Sequence, residues 1–165
     1  MVQVVVHTPD IVGERMAGPG IRASHLAEEL GRHFPTTLVS HGSSSTQALH
    51  DADVLIGQPA RGFRRRRRTQ KMVFDLFDPN VLELRELYGN APSMRQRVHL
   101  AAEWWRLSQA LATADLLVCA ASKQREFFER LQSCDAPWIE VPFGIDMDEV
   151  KACEKPRDNV VVWGG

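Results

Sequence analysis

Gln3-Val4-Val5-Val6, the loop over residues 7–20 and the helical pattern over residues 21–33 decide the fold. The first four residues are mostly β-branched, as in a strand buried on both faces of a parallel sheet. The loop carries Pro9, Gly13, Gly18, Pro19 and Gly20. After it Ala23, Leu26, Ala27, Leu30 and Phe34 recur at helical spacing, giving one amphipathic helix. A buried-type strand followed by a loop and a helix is the opening of a βαβ unit.

The same rhythm continues along the chain. Further strands are expected at 36–40, 53–57, 72–77, 116–120 and 138–143. The longest helix is expected from Met94 or Arg95 to Thr113, with Val98, Ala101, Ala102, Trp105, Leu107 and Leu111 as its apolar face. Ser122 stands at an N-cap position before a helix over 123–131. The fold class is therefore α/β, a Rossmann-like open, mostly parallel sheet with helices on both faces. Residues 1–150 form that domain. Residues 151–159 read as an exposed linker, and Val160-Val161-Val162-Trp163-Gly164-Gly165 as the first strand of a further domain.

Composition narrows the class. The chain has 165 residues, 44% hydrophobic and 25% charged, which excludes a disordered or collagen-like chain. No run approaches the roughly 18 apolar residues of a membrane span. Met1 to Val6 lead into a strand rather than into the basic and apolar regions of a signal peptide. The three cysteines, Cys119, Cys134 and Cys153, form no Cys-x-x-Cys pair, so neither a disulfide framework nor a zinc knuckle is indicated. A reducing cytoplasm suits them.

Net charge is −1, yet Arg61, Arg64, Arg65, Arg66, Arg67, Arg68 and Lys71 stand together without an acid between them. That leaves 13 basic against 21 acidic residues elsewhere. Such an acidic body repels nucleic acid, and Phe63 alone interleaves the run. The run reads as a solvated connector, or as a peripheral contact with anionic membrane through residues 64–68.

In an open parallel sheet, ligands bind outside the carboxyl ends of the strands. At the first such end, Gly18 and Gly20 allow close backbone approach at a helix start, and Arg22 adds a cation. The arrangement suits a phosphate, and equally a plain surface loop. Gly18-Pro19-Gly20 lacks the spacing of a dinucleotide fingerprint. At the second end, Asp78 can act as a general base or as the N-cap before Pro79. The six histidines show no ligand set, His99 and Glu103 apart, so no metal is expected. Of Trp104 and Trp105, one ring can face the core while the other lies at a groove.

Six ordered motifs then resemble the N-terminal half of a GT-B glycosyltransferase of the family 4, retaining type. They are Val4-Val5-Val6 with Gly18-Pro19-Gly20-Ile21-Arg22; Ala52-Asp53-Val54-Leu55-Ile56; Val73 to Pro79; Ala114-Asp115-Leu116 to Ser122; Val141-Pro142-Phe143-Gly144-Ile145-Asp146; and Val160 to Gly165. The resemblance implies an acceptor-binding domain that faces a donor-binding domain in cis across a cleft. It implies transfer of a sugar from a nucleotide-sugar to an acceptor hydroxyl, without a metal or other cofactor, and little activity of this half alone. Gly18, Gly20 and Arg22 would lie on the donor diphosphate side. Asp78 would hold the strand-end position where many members carry a catalytic-site histidine. His7, Phe77, Ser122 and Lys123 would meet the acceptor. The alternative is a free-standing Rossmann-like nucleotide-binding or interaction module.

Overall fold

A computed structural model describes residues 1–13, 18–40, 46–77 and 80–142. Among these residues six strands are present: β1 (Val4–His7), β2 (Thr36–Val39), β3 (Val54–Gly57), β4 (Lys71–Asp75), β5 (Leu116–Cys119) and β6 (Trp138–Glu140). Five described helices accompany them: α1 (Gly18–Gly31), α2 (Thr46–Asp51), α3 (Asn80–Tyr88), α4 (Met94–Thr113) and α5 (Ser122–Leu131). The strands form one sheet in the order β2-β1-β3-β4-β5-β6, and every described pairing is parallel. All six expected strands are found. The chain runs outward from β1 to β2, crosses back to β3, and then proceeds one way, so the strand order reverses between β1 and β3.

Register explains the burial. Val5 pairs with Leu55, Leu55 with Met72, and Phe74 with Leu117, and these residues share one face. That face packs on Leu107, Ala110 and Leu111 of α4 and Phe128 of α5. Val4, Val6, Val73 and Val118 alternate onto the opposite face and are buried too. There α1 lies over β1 and β2 and buries Ala23. Burial on both faces is why these strands read as continuous apolar runs. Gly57 has no room to be anything else: a Cβ would stand 2.7 Å from the His7 carbonyl oxygen and 3.1 Å from the Phe63 ring.

Three boundaries differ from the sequence reading. Helix α1 begins at Gly18 and ends at Gly31, so Gly18, Pro19 and Gly20 form its first turn rather than a loop. Proline is tolerated there because first-turn N–H groups have no helical partner. Ser122 is the first residue of α5; Ala121 is its cap, without a side-chain hydrogen bond. Helix α4 turns Leu107, Ala110 and Leu111 inward, with Leu100 and Trp104 packed beside them. Val98, Ala101 and Trp105 are exposed. The helix carries two stripes at the same spacing, 98/101/102/105 and 100/103/104/107, and the second meets the sheet. Its start is fixed by Ser93 and Gln96, a reciprocal capping box.

Candidate functional site

The carboxyl ends of β1, β3 and β4 frame a cleft of about 710 Å³ at the point where strand order reverses. Asp10 and Gly18 line it from the β1 side, Gln58 and Arg61 from the β3 side, and Phe77 from β4. Glu103 and Arg106 of α4 close it, paired with each other, and His99 lies 3.5 Å from the same Glu103 carboxylate. A concave site with a few convergent polar groups at a topological switch point is where α/β sheets bind ligands.

Against Phe77 of the cleft wall lies a buried ion pair. Arg22 Nε donates to Asp75 Oδ2 at 2.6 Å, and both side chains are almost wholly buried, at 5% and 6% exposure. The guanidinium also donates to the Val141 carbonyl at 3.0 Å and lies over the Phe77 ring, 4.9 Å from its centroid. Asp75 accepts from the Phe77 N–H through its other oxygen. One arginine thus ties α1 to the end of β4 and to the segment after β6. Burial pushes the Asp75 carboxyl above its ordinary range, against the opposing pull of Arg22. Arg22 points inward, so it does not stand free in the first turn for a ligand anion.

The α1 terminus is likewise occupied. Gly20 N–H donates to Asp10 Oδ2 at 3.0 Å, and Asp10 N–H donates to Thr8 Oγ1 at 3.2 Å. A carboxylate at a helix N-terminus satisfies an orphan donor and complements the helix dipole. Asp10 therefore supplies from within the chain the anion that the glycines suggested would come from outside. Gly18 has open space around it and does line the cleft.

The remaining expected residues divide by face. Phe77 lines the cleft. His7 lies on the α4 face of the sheet, where its ring stacks on Phe63 at 4.9 Å, and it does not line the cleft. Ser122 and Lys123 are exposed in the first turn of α5 and line no cleft described here. They do share the sheet edge: Gln124 donates to the Phe77 carbonyl at 2.8 Å and accepts from Ala120 N–H. Asp78, Cys153, the end of the sixth expected strand and residues 151–165 lie outside the described residues.

The sequence reading passed over Asp75 as a partner for Arg22, although an aspartate inside a strand buried on both faces demands one. It also passed over Asp10, Gln58 and the Glu103–Arg106 pair. Among the described residues, no group of three or more His, Cys, Asp or Glu side chains could hold a metal ion. No described helix is long and apolar enough to cross a membrane. No family model, curated protein or solved structure matches the chain.

Proposed function

We propose that this chain is the acceptor-side half of a GT-B-type glycosyltransferase of the family 4 kind. It would work with a donor-binding domain in cis to move a sugar from a nucleotide-sugar to an acceptor hydroxyl, in the cytoplasm and without a metal. The observation that carries the reading is the cleft at the β1/β3 reversal, with Gly18 and Phe77 on its walls and the Arg22–Asp75 pair tying α1 to the end of β4 against Phe77. A rigid wall is what such a transfer asks of this half. The acceptor oxygen and the anomeric carbon must be held in line, which is a task of positioning and water exclusion. Phe77 offers an apolar surface for a sugar ring, and Gln58 and Arg61 offer hydrogen bonds to its hydroxyls.

Asp78 directly follows Phe77 in sequence and takes the role of the strand-end polar group that meets the acceptor. Gly18 leaves the cleft wall open on the donor side, while Asp10 keeps the Gly20 N–H, so the donor-binding domain carries the diphosphate. In this arrangement Arg22 contributes by holding the wall rather than by touching the diphosphate.

Calorimetric titration of residues 1–165 with UDP, GDP, ADP, TDP and NAD tests the reading. Nucleoside diphosphates are expected to bind in the millimolar range or weaker, and NAD not at all. Micromolar NAD would overturn the proposal in favour of a dinucleotide-binding module. Sugar transfer by residues 1–165 alone would contradict the assignment of this chain as only half of the catalytic unit.

A further inference from the structure

A second, larger groove lies on the α4 face of the sheet. It encloses about 980 Å³ between the connection from β3 to β4 and the outer stripe of α4. Its floor is apolar: Phe63, Met72, Phe74 and Ala110 line it, and each is buried beneath the surface. Ala102 and Trp105 form one wall, and the Trp105 indole is 64% exposed. An indole left that open beside an apolar floor is unusual for a ring of its size and marks a contact surface.

The rim carries one sign of charge. Arg61, Arg64, Arg65 and Arg106 line the groove, and no acidic residue does among the described residues. Arg65 is neutralised by Asp115 at 2.6 Å and Arg106 by Glu103. Arg61 and Arg64 are exposed and have no ion-pair partner among the described residues. The groove therefore joins an apolar trough to two uncommitted guanidinium groups. Guanidinium forks match phosphate oxygens in geometry and charge.

We propose that this groove binds a single-chain amphiphile with a phosphate head, its chain along Phe63, Phe74 and Trp105 and its head on Arg61 and Arg64. The occupant follows from the two halves of the site: an apolar chain alone leaves the arginines unused, and a free phosphate leaves the Trp105 indole in water. Arg61 and Arg106 line both this groove and the cleft at the β1/β3 reversal. A head group at Arg61 thus stands at the mouth of that cleft. The inference does not rest on sugar transfer, because binding requires neither donor nor reaction.

Dodecyl phosphate below its micelle concentration is the probe, titrated into residues 1–165 by calorimetry, with inorganic phosphate and dodecyl maltoside as controls. Dodecyl phosphate is expected to bind at least about tenfold more tightly than either control. Arg61→Ser with Arg64→Ser, and separately Trp105→Ala, should each weaken it by about tenfold, while Trp105→Phe restores most of the affinity. All of these side chains are solvent-facing, so thermal unfolding of the variants should match the parent and separate lost binding from lost folding. Equal affinity for dodecyl maltoside would overturn the anionic half of the site, and equal affinity for inorganic phosphate the apolar half. Binding to phosphatidylglycerol vesicles without binding to monomeric dodecyl phosphate would overturn the groove in favour of surface adhesion.

Discussion

Arginine does opposite work in two parts of this molecule. Arg22 is a single cation in a glycine-bearing segment, and it is buried against Asp75. The run from 64 to 68 is a block of five, and it lies along the surface between β3 and β4. Read by composition, the lone arginine looks like a ligand for an anion and the block looks like one positive patch. In the fold, Arg22 is a tie between elements, and the block divides. Arg65 pairs with Asp115, Arg66 bonds the Gly62 carbonyl, and Arg67 bonds the carbonyls of Asp51 and Ala52. Arg64 and Arg68 have no ion-pair partner among the described residues. What an arginine does here depends on which carbonyls and carboxylates the topology brings to it.

The sharpest way to break this contrast is to remove the buried cation. Arg22→Met strands the Asp75 carboxylate, and removing one partner of a buried pair costs about 3–5 kcal/mol. Arg22→Met combined with Asp75→Leu should recover much of that loss, because two apolar side chains leave no charge to desolvate. Chemical denaturation of both variants measures the difference. A double variant no more stable than the single one would mean that the Phe77 and Val141 contacts of Arg22, not its charge, hold this edge.

The pair also carries a pH signature. Burial raises the folded-state pKa of Asp75 above the roughly 3.9 of an unfolded chain. Between those values the folded state binds more protons than the unfolded one. The contribution of Asp75 to stability is therefore full at acid pH and is lost as pH rises through the folded value. Without Arg22, its hydrogen bond and its charge no longer lower the Asp75 pKa, only the Phe77 N–H still does, and the pKa rises further. The cost of Arg22→Met should accordingly grow from acid toward neutral pH. A cost that shrinks over the same range would reverse the assigned balance between burial and pairing.

The next effect belongs to the other region and concerns a residue that is not an arginine. Gln70 is fully buried, and its amide knits the connection to α2. Its oxygen accepts from Arg66 and Arg67 N–H groups; its nitrogen donates to the carbonyls of Leu49, His50 and Ala52. Gln70→Leu keeps the bulk and orphans several backbone groups, at about 3 kcal/mol. Equilibrium unfolding in urea reads it. A loss well under 1 kcal/mol would show that water replaces the amide at about the cost of a surface hydrogen bond.

The sheet was legible because strands buried on both faces announce themselves: Val4 to Val6, Val54 to Ile56 and Leu116 to Val118 needed no partner to be recognised. The order of elements followed from their alternation. The site was less legible because its chemistry is made by pairs distant in sequence. Arg22 meets Asp75 across 53 positions, and Asp10 meets Gly20 only once α1 starts at Gly18. The outer stripe of α4 misled for a different reason. Val98, Ala102 and Trp105 have the spacing of a core face, and nothing local says that the stripe two positions later meets the sheet instead. Ser93-Met94-Arg95-Gln96, by contrast, is a local signal that places the α4 start and went unused.

Asp10 supplies a smaller test on the Arg22 side of the comparison. Asp10→Ala removes the acceptor from Gly20 N–H and should cost about 1 kcal/mol, whereas Asp10→Asn keeps an oxygen and should cost less. The same substitution frees an N–H at the α1 terminus. Thermal unfolding with and without added sulfate would then show a larger gain from sulfate in the alanine variant than in the parent, whose gain is the general stabilising effect of the salt. An equal gain in both would mean that removing Asp10 opens no anion site at the terminus.

The smallest expected effect closes the contrast from the other end. Arg64→Ser and Arg68→Ser remove exposed charges that hold no ion pair among the described residues, and each should change stability by less than about 0.5 kcal/mol. Arg65→Ser breaks the contact with Asp115, whose carboxyl is raised by burial but is held below its usual range by the Met72 N–H, Lys71 and Arg65 together. Because Lys71 remains at 3.0 Å, that variant should lose little more, about 0.5–1 kcal/mol. Urea unfolding of the three variants side by side measures the series. A block that is uniform in sequence should thus yield a graded response, set by what each guanidinium reaches. Identical losses at positions 64, 65 and 68 would mean that the run acts through its summed charge rather than through individual contacts.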